Sequence, residues 1–404
     1  MPAAHFPATD DAVTRRIAAV DPQRYARTRN ALDGAVSRLS PYITHGYVTL
    51  PDVLAGVLAR HRIAVQHKFV YELGWREYFH HVWTRRGDGI FSSLHDGVLP
   101  EHAYADTLPA DIREGRTGLP VIDRAVRELY ATGYLHNHAR MWLASYVVHL
   151  RKIHWRTGAD WLYAHLLDGD LASNHLSWQW VAGTGSHKPY LFNAENVARY
   201  APADWHSAGT VLDADYGTLE RFARNPACTH APEGRDAVEE PPVVGAPAMS
   251  DAIAVRNIAG KDVWLIHPWA LREPPPDVRG SMVCVGITLP ACHAEHPWST
   301  ARWSFVTERL RTLADVHWHA DAETLAGALA HARSVHAADD PHLNRRLTGL
   351  VRDPGNLRGI KPLFPDVPRA CGSFSQWWTR ATRGLREAAE LPGLASTTAP
   401  VTTP

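Results

Sequence analysis

The sequence predicts a mainly α-helical fold followed by a small α/β-like region. Three observations carry this prediction. Apolar and aromatic residues recur at helical spacing from about Arg24 to Tyr200, Gly and Pro stand between those stretches rather than inside them, and beyond Ser250 short β-branched runs alternate with helix-like ones.

The elements follow in order. Pro120 suits a first helical turn, and Val121, Ile122, Ala125, Val126, Leu129 and Tyr130 form one apolar stripe that Gly133 ends. A second helix is expected from about Asn137 to Ile153, with Met141, Trp142, Ala144, Tyr146, Val147 and Leu150 apolar on more than one side, the mark of a central, buried helix. Residues 229–250 are rich in Pro and hold no Phe, Tyr or Trp, which reads as a linker. Beyond it, Asp262 to His267 and Met282 to Thr288 read as strands, Val316 to His319 as a further one, and Ala301 to Leu313 and Ala322 to Ala332 as helices. The chain thus divides into an N-terminal extension (1–24), a helical domain (25–228), a Pro-rich linker (229–258), a small α/β-like region (259–390) and a disordered tail (391–404).

The 404 residues exclude a single small domain, and 45% hydrophobic with 21% charged residues is ordinary globular composition. The 42 Lys and Arg cancel the 42 Asp and Glu, so any attraction to nucleic acid must be local. Four Cys without a CxxC pair argue against a disulfide scaffold and for a reducing, cytoplasmic setting. No signal-peptide pattern and no apolar stretch of membrane-spanning length is visible, so no membrane association is expected. Cys292, His293, Glu295 and His296 crowd into five residues, but adjacent ligands seldom share one ion and no second cluster stands at finger-like spacing. The segment reads as a polar loop, and no metal is expected.

The chemistry concentrates in Asp168-Gly169-Asp170-Leu171-Ala172-Ser173-Asn174, followed by Trp178-Gln179-Trp180. Taken alone, this is a helix cap or a polar site beside an aromatic wall. Upstream stand Ser37-Arg38-Leu39-Ser40-Pro41-Tyr42, Glu72-Leu73-Gly74-Trp75-Arg76-Glu77 and His136-Asn137-His138-Ala139-Arg140-Met141. In order and spacing, from about Tyr25 to Tyr200, these motifs resemble the photolyase/cryptochrome family in its helical FAD-binding domain.

The resemblance implies a bound FAD, a response to blue light and, in photolyases, repair of pyrimidine dimers in UV-damaged DNA. It assigns Tyr25, Ser37, Arg38, Leu39, Ser40, Arg76, Asn137, Arg140, Asp168, Asp170 and Asn174 to the cofactor, with Ser37 and Ser40 at the pyrophosphate, Val36 standing where the family often has Thr, Arg140 paired with Asp168, and Asn174 facing the ring. It assigns Glu72, Trp75, Asn137, Met141 and Trp180 to the dimer, and Glu72, Asn137, Trp178 and Trp155 to catalysis, the two Trp as proximal and middle electron carriers. Asn137 and Met141, where the six-four class has two His, favour cyclobutane dimers; His136 and His138 read as buried, satisfied histidines.

The distal carrier lacks a Trp near His102 to Tyr104, so Tyr104, Trp142 or Trp161 would substitute, or the path would be shorter. Arg76, Lys188 and Arg199 are the candidates for DNA phosphates. Residues 1–227 contain no Cys, which argues against the iron–sulfur cluster of some bacterial relatives. Only 24 residues precede Tyr25, so the antenna domain that most members carry there is expected to be absent. The rival expectations are a blue-light photoreceptor without repair activity, and a flavin fold that serves as an interaction module.

Overall fold

The computed structural model describes residues 6–247 and 250–395. Their contacts divide them into two compact units: a helical one of residues 23–36 and 79–242, and an α/β one of residues 6–22, 37–78 and 243–395. These bounds differ from those expected. Residues 37–78 cluster with the C-terminal part of the chain, so the helix α1 (Lys68–Arg86) has residues in both units.

The helical unit is built around four helices. In α2 (Pro120–Thr132) the expected stripe is buried except for the half-buried Tyr130, Val121, Ile122, Val126 and Leu129 fully so, and Gly133 closes the helix at φ 63°. Each such side chain contributes about 2 kcal/mol of apolar burial. The turn before α2 is held by Asp123, whose carboxylate accepts the Thr117 and Gly118 amides and the Thr117 hydroxyl.

The central helix α3 (Asn137–Ser145) runs into a π-helical turn, Tyr146–Leu150, and all five residues of that turn are buried. Lys152, at φ 53°, ends the run. Its ammonium donates to the carbonyls of His149, Phe222 and Ala223, and burial lowers its pKa to about 8. Helix α4 (Trp155–His165) is capped by His154, and α5 (Leu171–Ala182) by Asp170 at its start and Gly183 (φ 82°) at its end.

The segment expected to be a linker is, through Glu240, part of this unit. Glu240 accepts Trp161 Nε1 at 3.0 Å and Arg113 Nη1 at 2.6 Å and pairs with His165 Nε2 at 3.2 Å; burial raises its pKa, but these partners hold the carboxyl below its usual range. His230 and Val238 add backbone bonds to Leu150 and Glu114. Composition concealed this because one half-buried carboxylate with three partners outweighs several Pro in deciding where a segment lies.

The α/β unit holds a parallel sheet of β1 (Asp262–Ile266), β2 (Val283–Thr288), β3 (Val316–His319), β4 (Ser334–Ala338) and β5 (Leu357–Arg358), in the order β3-β2-β1-β4-β5. Helices α6 (Thr300–Leu313) and α7 (Ala322–Leu329) supply two of the crossovers that parallel neighbours require. Strands β1 to β3 are those expected from β-branched runs. Strand β4, Ser-Val-His-Ala-Ala, has a single β-branched residue and was not expected.

Residues 37–78 pack within this unit through Leu271 N to His45 O, Gln66 Oε1 to Trp378 Nε1 and Val65 N to Arg386 O. The crowded Cys292–His296 stretch is not a polar loop. It is part of a short helix, Pro290–Glu295, in which Cys292 and His293 are buried among Trp269, Trp298 and Trp303. Pro392–Leu394, near the start of the expected disordered tail, form a 3₁₀ turn in which the Gly393 amide donates to the Leu363 carbonyl; residues 396–404 lie outside the described residues. No helix among the described residues is long and apolar enough to cross a membrane.

Candidate functional site

The polar centre of the helical unit lies where α3 meets the Asp168–Asp170 turn. Arg140 Nη2 donates to both Asp168 oxygens, at 2.9 and 2.7 Å, while its Nε donates to the Leu135 carbonyl at 2.7 Å. The Asp168 side chain is 3% exposed and the guanidinium 22%. Two charges this enclosed are tolerable because each neutralises the other through charge-assisted bonds. Asp170 takes the capping role: its Oδ1 accepts the Ser173 amide at 2.8 Å, and its Oδ2 meets His80 Nε2 at 2.9 Å, both oxygens buried.

Next on α5, the Asn174 side-chain amide donates to the Ala159 carbonyl at 2.8 Å, which leaves its oxygen and second N–H for another partner. Ser173 Oγ is buried and makes no hydrogen bond. Sequence reasoning missed both Ser173 and His80. The i, i+4 spacing of His80 from Arg76 on α1 was the available hint for His80.

Trp178 and Trp155 are both 2% exposed and belong to one core. The benzene edge of Trp178 rests on α4 at Gly158, where an added Cβ would lie 2.4 Å from two ring carbons, so that position must be Gly. Trp155 Nε1 donates to Ser93 Oγ at 3.0 Å. Of the distal candidates, Trp142 is enclosed and donates to Asn196, and Trp161 donates to Glu240. Tyr104 lines the same small pocket as Trp155 and His154.

Among the residues assigned to the dimer, Asn137 and Met141 lie one turn apart on α3, in N–H to sulfur contact at 3.7 Å. Trp180 is 39% exposed, opposite the buried Trp178 on α5. His138 bonds the Asn30 carbonyl and stacks on Trp142, the satisfied histidine expected of it. Tyr25 sits half-buried on the helix Pro22–Thr28.

The remaining predicted residues belong to the α/β unit. Arg38 holds φ 52° in the turn Ser37–Leu39, before the short helix Ser40–Thr44, and Arg76 Nη1 donates to Thr44 Oγ1 at 3.2 Å. Glu72 and Trp75 are half-buried one turn apart on α1. One face of Trp75 is already occupied by Phe374, of helix α8 (Phe374–Ala381), with ring centres 4.0 Å apart and planes at 11°.

Residues 69–206 match the family model described as the FAD binding domain of DNA photolyase. Over that stretch the chain is similar to photolyase FAD-binding domains. Deoxyribodipyrimidine photo-lyases of Streptomyces griseus and Thermus thermophilus are 37% and 38% identical to this chain. The first alignment covers 38% of this chain and 33% of the relative, the second 43% and 41%. A cryptochrome DASH of Idiomarina loihiensis is 32% identical over 44% of this chain and 42% of its own. The chain therefore spans less than half the length of these curated relatives.

The matched stretch contains Arg140, Asp168, Asp170, Asn174 and the buried Trp155 and Trp178, whereas Tyr25 and Ser37 to Ser40 precede it. Its residues suit FAD: a fixed guanidinium, an amide with donor and acceptor to spare, and the unsatisfied Ser173 hydroxyl all stand within reach of two adjoining turns of chain.

Proposed function

We propose that this protein uses blue light to return cyclobutane pyrimidine dimers in DNA to monomers. FAD, when bound, supplies the light-absorbing redox group. Arg140, neutralised by Asp168 and anchored on the Leu135 carbonyl, holds a positive charge in place where a reduced ring would carry a negative one. Asn174 donates or accepts at that ring through the half of its amide not used by Ala159. Trp178 and Trp155 relay electrons inward to restore the reduced state, and Gly158 keeps Trp178 close to the helix that bears Trp155.

The observation that carries the DNA reading is Trp180. It is an exposed indole on the helix that also bears Asn174 and Trp178, and an exposed aromatic face suits an unstacked base. Asn137 and Met141, in the same unit, would border the same substrate. Net charge near zero leaves phosphate contacts to single residues such as Arg76, Lys188 and Arg199, so binding to undamaged DNA should be weak and salt-sensitive.

The test is recovery of thymine absorbance in a dimer-containing oligonucleotide with pre-reduced protein under blue light, beside a dark control. Light-dependent recovery is expected; flavin-loaded protein without recovery overturns the repair reading. A second reading, a blue-light photoreceptor, is favoured by one observation: Phe374 covers a face of Trp75, a residue assigned to cradle the dimer.

A further inference from the structure

We propose that Ser93 and Glu101 form a proton exit for Trp155, making it a stopping point for the positive charge that moves outward along the tryptophans. The inference rests on the reading of Trp178 and Trp155 as electron carriers. It adds two residues that this reading does not include.

The geometry is a continuous chain. Trp155 is 2% exposed, so its indole N–H has no direct route to water. That N–H donates to Ser93 Oγ at 3.0 Å, and the Ser93 hydroxyl donates to Glu101 Oε1 at 2.6 Å. The Glu101 side chain is 66% exposed, which opens the far end to solvent. Its other oxygen, Oε2, faces His154 Nε2 at 2.7 Å.

The tautomer of His154 follows from its second nitrogen. Nδ1 accepts the Arg156 amide at 3.2 Å as the cap of α4, so the ring proton resides on Nε2 and is donated to Glu101. The carboxylate is thus oriented from both sides. The Ser93 hydrogen bond, with His154 adding to it, holds its pKa below the usual range, so Glu101 is ionised and able to accept.

The step balances as follows. One electron leaves Trp155 for the oxidised Trp178 and restores it; the ultimate oxidant is the light-excited, oxidised flavin. Losing an electron turns the indole N–H from a negligible acid into one comparable with a carboxylic acid. The Trp155 N–H bond then breaks, its proton bonds to Ser93 Oγ, and the former Ser93 hydroxyl proton bonds to Glu101. The products are a neutral indolyl radical, an intact serine and a neutral carboxyl group, which releases its proton to water and returns to the carboxylate. Return of the electron to Trp155 now requires the proton back, so the separated charge lives longer. This gives a physical reason why the path can work without a Trp near His102 to Tyr104.

The test is transient absorption of FAD-loaded protein after a blue flash, which distinguishes a neutral tryptophan radical from a radical cation by spectrum. The wild type is expected to show the neutral form, with a slower rise in D2O. Ser93→Ala and Glu101→Gln should each leave the cation form, with a lifetime shorter by about 10²-fold, the scale of a positioned proton acceptor. Ultraviolet resonance Raman of the flavin-free protein should report a weakened Trp155 N–H hydrogen bond in Ser93→Ala alone. Equal FAD stoichiometry and circular dichroism would exclude misfolding of either variant.

Wild-type radical spectrum and lifetime in both variants would overturn the proton exit while leaving the electron path standing. Absence of any tryptophan radical in the loaded wild type, or no change on Trp155→Phe, would overturn the electron path itself and the exit with it.

Discussion

The helical unit and the aromatic cluster around His293 in the α/β unit place tryptophan differently. In the helical unit, indole N–H groups are directed at side chains: Trp155 at Ser93, Trp161 at Glu240 and Trp142 at Asn196. In the α/β unit, Trp269, Trp298 and Trp303 pack around His293, whose two nitrogens are buried and unbonded, as are the N–H groups of Trp269 and Trp318. Residue type therefore says little by itself. What sets Trp155 apart from the indoles around His293 is that its polar edge is connected, through Ser93, to a carboxylate that can respond when its charge changes.

The sharpest way to break this contrast is to remove one member from each unit. Trp298→Ala empties a fully enclosed site, and should cost about 4 kcal/mol in denaturant unfolding, the usual scale for a buried aromatic. Asp168→Ala leaves the Arg140 guanidinium without its carboxylate; a loss of about 3 kcal/mol is expected, together with loss of FAD from the purified protein. If Asp168→Ala retained FAD at full stoichiometry, the pair would be structural, as the Trp298 cluster is.

Acid should act through the histidines of both units in one direction. Burial lowers the pKa of His149 to about 4 and that of His293 well below its ordinary value, so the unfolded chain binds protons that the folded chain refuses. The stabilisation these neutral rings provide is present above pH 6.5, and is lost as pH falls below it. For His149 the loss is roughly 3 kcal/mol by pH 4. Thermal melts of wild type and His149→Gln across pH 4 to 7 should converge as pH falls; parallel curves would show that His149 does not titrate with folding.

The smallest effects concern the electron path. Gly158→Ala forces the Trp178 ring from its seat at a cost of about 2 kcal/mol, by the ordinary penalty of overpacking. Trp178→Phe fills the seat without the indole. Both should slow photoreduction of oxidised flavin and spare repair by pre-reduced protein. Equal loss of both activities would assign Trp178 to the framework.

Much of this was legible in the sequence, for identifiable reasons. The α2 stripe and its Gly133 stop are local, and helix periodicity reads local patterns well. The Arg140–Asp168 pair was legible only because a chain of motifs in one order points to it; spacing alone left the Asp168–Asn174 stretch open between cap and site, and the structure gives the cap to Asp170 and the ion pair to Asp168. What stayed hidden is non-local. Glu240, Ser93 and Glu101 act through partners 62 to 79 residues away where they meet Trp155 or Trp161, or through a second residue between, and no window of sequence displays such pairings. The clustering of residues 37–78 with the C-terminal part is of the same kind.

Glu240 also bears on how this chain can be divided in the laboratory. By composition, anywhere in 229–258 would serve as a place to end an expressed fragment. A fragment that stopped before Glu240 would instead strip Arg113, Trp161 and His165 of a common acceptor at once, a loss separate from that of the residues beyond, with which residues 37–78 cluster. Ending after Pro242 keeps that acceptor, so the two end points, three residues apart, should behave as different proteins.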